Sequence, residues 1–283
     1  MKKYFSLVLF AHSIFALPFA MIGFFLGVKT SPQPFSWLLF LCVLLCMVFA
    51  RNAAMAFNRY LDRDIDAHNP RTQMRDIPAG RVSAKGALRF VMLNALLFMA
   101  TTYFINSLCF YLSPVALFVV LFYSYTKRFT PLCHLVLGLG LALAPIGAYI
   151  AVTGAFHIVP LCYSFAVLFW VSGFDIIYAL QDEGFDREQG LFSIPAALGI
   201  KRALRLSEGL HVLSALCVMI PLFYVPFSWI YDIGIVFFCA MLIYQHRLVK
   251  PTDISRVDRA FATANGYASV IFALCFLLDL YFR

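Results

Sequence analysis

Charged side chains are scarce in this sequence. Asp, Glu, Lys and Arg make up 13% of its 283 residues, against about 25% in typical soluble domains. Together with a hydrophobic content of 63%, this composition excludes a soluble globular domain and predicts a polytopic membrane protein. The sequence also lacks any C-x-x-C pair, and its eight cysteines all fall inside apolar runs. Neither disulfides nor a zinc site is therefore expected.

Nine stretches are long and apolar enough to cross a bilayer core of about 30 Å as helices. We expect an all-α fold in which residues 1–283 form a single integral-membrane domain, with nine transmembrane helices around a central cavity. The N-terminal stretch could pass for a signal peptide, but its apolar run is too long, which favours a retained first helix. The predicted spans are residues 5–28, 36–58, 86–106, 107–125, 131–153, 158–180, 203–225, 227–245 and 261–281.

The basic residues segregate to one side of this topology. When the loops are assigned alternately to the two sides, only Lys29 and Arg283 fall opposite the rest. The positive-inside rule makes the crowded side cytoplasmic. We therefore predict a protein of a bacterial inner or cell membrane, with its N-terminus and active-site loops in the cytoplasm and its C-terminus outside. This distribution accounts for the net charge of +8, so the expected partner is membrane lipid and not nucleic acid.

Two acidic stretches end predicted spans on the cytoplasmic side. Each contains oxygen-bearing side chains at steps of four, which place them along one face of a helix. The second row lies 120 positions after the first, and the rows are Asn58, Asp62 and Asp66, then Tyr178, Asp182 and Asp186. Asp175 lies deeper still, inside the sixth span. A single aspartate at a helix end is usually a solvated group paired with an arginine, but two matched rows favour a functional site.

The segments after the two rows also correspond. Ile77-Pro78-Ala79-Gly80 follows the first row, and Ile194-Pro195-Ala196-Ala197 follows the second. This correspondence predicts a weak internal repeat. Membrane folds built from repeats often place a site at the repeat interface, and here the interface is expected to gather the two acidic rows around one cavity.

The residue types favour magnesium and a diphosphate. Carboxylate and amide oxygens suit Mg²⁺, which commonly bridges one or two carboxylates to substrate phosphates. Negative charge at a helix C-terminus opposes the helix dipole, so a cation is expected there. Beside a membrane-spanning cavity, the diphosphate is expected to carry a lipid tail. The basic residues on the correct side to bind phosphate oxygens are Arg63, Arg71, Arg75, Lys127, Arg128, Lys201 and Arg202.

The paired motifs resemble those of the UbiA superfamily of intramembrane prenyltransferases. The resemblance rests on N-x-x-x-D-x-x-x-D from Asn58, on D-x-x-Y-x-x-x-D-x-x-x-D from Asp175, and on the Arg75-x-Ile77-Pro78-Ala79-Gly80 segment. It implies transfer of a polyprenyl group from polyprenyl diphosphate to an aromatic acceptor in quinone biosynthesis, with Mg²⁺ as cofactor. The implied ligands of Mg²⁺ are Asn58, Asp62, Asp66, Asp182 and Asp186. Asp175 and Tyr178 complete the catalytic set, and Asn58, Arg71, Arg75, Lys127 and Arg128 are expected to bind substrate.

Two departures from the family pattern leave the acceptor open. Arg59 replaces an aspartate of the common first motif, as it does in members similar to 4-hydroxybenzoate prenyltransferases. Many of those enzymes carry a basic residue on the first helix, where this sequence has His12, so Arg71 becomes the better candidate for contacting an acceptor carboxylate or the diphosphate. The leading acceptor is 4-hydroxybenzoate and the alternative is a dihydroxynaphthoate of menaquinone synthesis. A transporter that uses the aspartates as an ion site is a further alternative.

Overall fold

The structure is a computed structural model that describes residues 15–32 and 34–282. Within these residues the fold is helical without strands, apart from an isolated β-bridge between Lys250 and Asp253. The helices are α1 (Leu17–Thr30), α2 (Trp37–Leu61), α3 (Arg63–His68), α4 (Ala84–Tyr103), α5 (Ser107–Thr126), α6 (Cys133–Thr153), α7 (Ile158–Ala179), α8 (Glu183–Glu188), α9 (Ile194–Leu198), α10 (Ile200–Met219), α11 (Trp229–Leu248) and α12 (Asn265–Phe282). Short 3₁₀ segments, Leu180–Asp182 and Ile220–Phe223, follow α7 and α10, and the π-helical turn Arg259–Ala264 precedes α12.

Eight helical segments of the described chain are long and apolar enough to cross a membrane. They correspond to eight of the nine predicted spans, which confirms the all-helical membrane fold. The remaining span, residues 5–28, falls partly on residues 1–14, outside the described residues, and its described helix α1 has 14 residues. The count of nine and the orientation of the termini therefore stay predictions. His12 also lies outside the described residues.

Serine side chains cap the starts of several helices. The Ser36 hydroxyl accepts a hydrogen bond from the backbone N–H of Leu39 at the start of α2, at 3.3 Å. Ser83 caps α4 in the same way through the N–H of Gly86, at 3.1 Å. These hydroxyls satisfy N–H groups that have no partner inside the helix. The two helices therefore begin at defined residues.

The described chain forms two compact units, and the first comprises residues 36–126. In it, α2 packs against α4 and α5. The contact is close because small residues on α2, Ala53 and Ala56, are fully buried. Within the apolar contact, the Asn52 amide donates to Asn94 at 3.1 Å, which satisfies both polar side chains. This unit positions the first acidic stretch at the end of α2.

The second unit comprises residues 15–32, 34–35 and 127–282. Its central helix is α7, which packs against α1, α6 and α10 and buries Trp170 completely. Gly138 of α6 touches α7 so closely that an added Cβ would lie 2.4 Å from both Leu168 O and Ser172 Oγ. No larger residue fits at this crossing. The second acidic stretch therefore extends from a helix that is held rigidly on several sides.

Candidate active site

The first acidic stretch is interrupted at Asp62. Helix α2 ends at Leu61, Asp62 has φ −88° and ψ 5°, and α3 begins at the next residue. The spacing of four predicts one helix that continues to about residue 66, and this prediction is wrong. Asp62 instead lies between the two helices, and its side chain makes no capping hydrogen bond to α3. Asn69 and Pro70 then end α3, because a proline disfavours helix at the residue before it.

The second acidic stretch is interrupted at the corresponding residue. Helix α7 ends at Ala179, a 3₁₀ segment follows, and Asp182 has φ −103° and ψ 4° before α8 begins at Glu183. Asp62 and Asp182 therefore share one backbone conformation, in a sparsely populated region that is common at active sites. This agreement between the two units supports the internal repeat that the sequence predicts.

The two interruptions change the electrostatics of the aspartates. Asp66 lies in the first turn of α3, and Asp186 lies in the first turn of α8. A carboxylate in the first turn of a helix is stabilised by the partial positive charge there, by about 0.3–1 kcal/mol. The expected conflict with the C-terminal dipole of a single long helix is thus relieved by starting a new helix.

In the first unit, basic and amide groups hold the aspartates of the first motif. The Asn58 amide donates to Asp62 Oδ2 at 3.0 Å. Arg75 Nη1 donates to both oxygens of Asp66, at 2.7 Å and 2.9 Å. Asp66 is 5% exposed, so this ion pair is shielded from water. The structure therefore brings together four predicted site residues: Asn58, Asp62, Asp66 and Arg75.

In the second unit, Lys127 lies beside Asp186. Its ammonium nitrogen is 2.7 Å from Asp186 Oδ1, although neither Asp186 oxygen meets the geometry of a hydrogen bond with any described residue. The pair is therefore an electrostatic contact with unused acceptor capacity on the carboxylate. The Lys127 backbone carbonyl also accepts from the N–H of Phe192 at 2.8 Å, which fixes the lysine next to the loop after α8.

Asp175 of the second motif is held by a histidine that the sequence analysis did not single out. His134 Nδ1 lies 2.6 Å from Asp175 Oδ2. The backbone N–H of Ile194 donates to the other ring nitrogen, Nε2, at 3.3 Å. His134 is 41 residues from Asp175, and no local sequence pattern connects them.

The remaining predicted residues lie in more varied surroundings. Tyr178 packs against Phe261, with ring centroids 4.3 Å apart and the ring planes tilted by 32°. Asp182 is buried, Arg128 is partly buried and Arg71 is exposed. A second residue not singled out from the sequence is Arg51, partly buried within α2. It lies seven residues before Asn58, on the same face of the helix, and its position inside an apolar run was the available signal.

The donor set suits Mg²⁺. Asp186 is fully buried and accepts no hydrogen bond from the described residues, and a buried carboxylate of this kind fits a hard divalent cation. Within the described residues, no three His, Cys, Asp or Glu side chains are grouped closely enough to hold a metal. The terminal aspartate of each motif has instead a basic side chain as its cation, Arg75 for Asp66 and Lys127 for Asp186.

Comparison with known proteins identifies the family. The model of the UbiA prenyltransferase family matches residues 16–273. The chain belongs to this family. The prediction of a UbiA-type prenyltransferase is thereby confirmed, and the transporter alternative is not favoured.

Relatives of the UbiA family cover most of this chain. A protein of Francisella tularensis subsp. novicida named 4-hydroxybenzoate octaprenyltransferase is 28% identical over 81% of this chain and 80% of its own length. One of the same name from Tolumonas auensis is 29% identical, over 79% and 78%.

Solved UbiA homologues share the fold. The apo structure of a homologue from Aeropyrum pernix K1 matches with a TM-score of 0.84 at 32% identity, covering 95% of this chain and 98% of that one. A homologue from Archaeoglobus fulgidus, bound to DMAPP and Mg²⁺, matches with a TM-score of 0.77 at 21% identity, covering 98% and 99%. The chain is therefore an integral membrane protein of UbiA fold.

Proposed function

We propose that the protein transfers a polyprenyl group from a polyprenyl diphosphate to the aromatic ring of 4-hydroxybenzoate, in quinone biosynthesis. The observation that carries this proposal is the pair of aspartate motifs, with matching backbone breaks at Asp62 and Asp182, in a member of the UbiA prenyltransferase family. The two relatives named 4-hydroxybenzoate octaprenyltransferase favour this acceptor.

The metal ligands in this proposal are Asn58, Asp62, Asp66, Asp182 and Asp186. Bound Mg²⁺ would neutralise the charge that develops on the diphosphate as it leaves. The homologue bound to DMAPP and Mg²⁺ supports Mg²⁺ as the metal. Asp66 and Asp186 are buried, and each lies beside one basic side chain. Both carboxylates therefore already lie next to a positive charge, as they would beside Mg²⁺.

The basic residues bind the diphosphate in this proposal. Arg75 and Lys127 each lie 2.7 Å from a motif carboxylate, and both side chains are partly exposed. They are therefore able to contact phosphate oxygens beside the metal ligands. Arg71 and Arg128 provide further positive charge on the same loops, and the planar guanidinium of arginine suits bidentate binding of phosphate.

The reaction proceeds by loss of diphosphate and attack of the ring. The C–O bond to the diphosphate breaks, and the electron pair leaves with the diphosphate, which leaves an allylic cation. The ring of Tyr178, held against Phe261, stabilises this cation by cation–π contact. A carbon of the acceptor ring forms the new C–C bond, and the proton on that carbon is then lost, which restores aromaticity.

The test uses purified protein with Mg²⁺ and a polyprenyl diphosphate. 4-Hydroxybenzoate and dihydroxynaphthoates are offered in parallel, and products are identified by mass spectrometry. We expect prenylated 4-hydroxybenzoate. If only a naphthoate is prenylated, the mechanism is retained but the assignment of the acceptor is overturned. If no aromatic acceptor is prenylated, the proposal is overturned.

A further inference from the structure

The His134 ring is locked in one orientation. It is 3% exposed, and its two nitrogens lie against two different partners, Asp175 and the N–H of Ile194. Ile194 is the first residue of α9, so its N–H has no partner within that helix. Because this N–H donates to Nε2, Nε2 carries no proton, and the ring proton lies on Nδ1. His134 is thereby assigned as a neutral donor to Asp175.

The backbone around His134 is also fixed. The Ser172 hydroxyl of α7 donates to the His134 carbonyl at 3.2 Å and to Leu168 O at 2.7 Å. The close crossing at Gly138 lies one turn further along α6. Helix α6 therefore presents the imidazole to α7 in a defined place, and the ring in turn fixes one rotamer of Asp175.

Asp175 differs from Asp186, the last aspartate of the second motif, in its exposure and in its partner. Its side chain is 23% exposed, whereas that of Asp186 is 1% exposed. Its partner is a neutral imidazole and not a lysine or arginine. Among the described residues, only His134 donates to it, through Oδ2, so Oδ1 is open.

The position of Asp175 suits contact with the acceptor and not with the diphosphate. It lies inside α7, four residues before Ala179, the last residue of that helix, whereas Asp182 and Asp186 follow the break that ends α7. Tyr178 lies between Asp175 and the break. Asp175 is therefore further inside the membrane-spanning helix than the two metal ligands of the same motif.

We propose that Asp175 is the base that takes the proton from the acceptor ring, and that His134 is the positioning residue that holds it. The proposal rests on the proposed function. After the ring carbon has bonded to the prenyl cation, Asp175 Oδ1 accepts the proton from that carbon, and the C–H electron pair returns to the ring. The carboxylate becomes a neutral acid, which later releases the proton to water. His134 neither gains nor loses a proton in this step.

The test compares three variants in the prenyl-transfer assay with each acceptor in protonated and ring-deuterated form. Asp175→Asn removes the base, and turnover is expected to fall by about 100-fold or more. His134→Ala leaves Asp175 unsupported, and kcat is expected to fall by about 10- to 100-fold with little change in KM for the diphosphate. In His134→Gln, the amide is able to donate to Asp175 while its carbonyl accepts from Ile194 N–H, so kcat is expected to return towards wild type.

The isotope effect separates positioning from a purely structural role. With proton removal slowed in His134→Ala, a primary isotope effect from the ring deuterium is expected to appear or to grow. His157→Asn is the matched control, because His157 is an exposed histidine that caps the opposite end of α7 and asparagine is also a favoured cap residue, and it should leave both kcat and the isotope effect unchanged. Thermal unfolding in detergent identifies a variant that has failed to fold. If His134→Ala fails to fold, the test uses His134→Gln alone.

The outcomes distinguish this inference from the proposed function. If wild type prenylates an aromatic acceptor and Asp175→Asn keeps its kcat, Asp175 is not the base. If His134→Gln is as slow as a folded His134→Ala, a proton-carrying imidazole is required and the positioning role is overturned. If wild type prenylates no aromatic acceptor, the proposed function fails and this inference fails with it.

Discussion

Replacing Lys127 by Met should destabilise the protein in the absence of Mg²⁺ and strengthen its binding of Mg²⁺. The Asp186 side chain is 1% exposed, and Lys127 is its cation at 2.7 Å. Methionine fills much of the space of the lysine stem, so the substitution mainly removes the charge. Asp186 is then left as a buried carboxylate without that counter-ion, in the first turn of α8.

The magnitude follows from the distance and the exposure. At 2.7 Å and an effective dielectric constant of about 20, the attraction is about 6 kcal/mol. The Lys127 side chain is 31% exposed, so solvent screens part of this attraction, and removal of one partner of a buried pair typically costs about 3–5 kcal/mol. We expect the lower end of that range, about 3 kcal/mol.

The same substitution removes a cation that competes for Asp186. Mg²⁺ alone should therefore bind Lys127→Met about 10- to 100-fold more tightly than wild type, since each 1.4 kcal/mol of lost competition is about tenfold. Polyprenyl diphosphate should bind more weakly, because the lysine is no longer present to contact phosphate oxygens.

The assay is thermal unfolding in detergent with EDTA or Mg²⁺, together with calorimetric titration of Mg²⁺. Lys85→Met is the control, because Lys85 is exposed at the start of α4 and the change in net charge is the same. A melting temperature in EDTA equal to that of wild type would show that Asp186 does not depend on Lys127. Weaker binding of Mg²⁺ in the absence of diphosphate would refute the competition.

Three further predictions concern the metal, the donor and the acceptor. The double variant Asp62→Asn, Asp182→Asn should stay folded in detergent but lose turnover by at least about 100-fold, because a catalytic metal contributes several kcal/mol; retained prenyl transfer would defeat the metal assignment. A long-chain polyprenyl diphosphate at about 100 times its Kd should stabilise the wild type by about 2.7 kcal/mol with Mg²⁺ and by much less in EDTA; an equal shift in both would exclude metal-dependent binding. Arg51→Gln should raise KM for a carboxylate-bearing acceptor more than KM for the donor, since Arg51 lies on the Asn58 face of α2 within the membrane span; a rise with Arg71→Gln alone would place the carboxylate at the loop.

The long helices were predictable from the sequence because the length and composition of a membrane span are local properties. The spacing within each acidic row was equally visible, as was the repeat between them. The predicted start of the second span, at residue 36, agrees with the structure, in which Ser36 caps α2.

The interruptions at Asp62 and Asp182 had no such marker. No glycine or proline occurs at either residue, and the preference of aspartate for a helix start is too weak to predict a break within a long apolar pattern. The ion pairs depend on tertiary packing, since Lys127 is 59 residues from Asp186. The contact between His134 and Asp175 arises from the crossing of α6 and α7, which sequence spacing alone does not reveal.

The backbone break at Asp62 determines what a substitution there measures. Asparagine keeps the size and shape of the aspartate side chain and removes only the charge, so its effect reports on the carboxylate. Alanine favours continuous helix, and it would promote the fusion of α2 and α3 into one rod. Asp66 would then be turned away from Arg75, although Asp66 itself is not substituted. An alanine substitution at this position would therefore combine two effects, the loss of the carboxylate and the change in backbone conformation. The difference in activity between the Ala and Asn variants measures the effect of the backbone change.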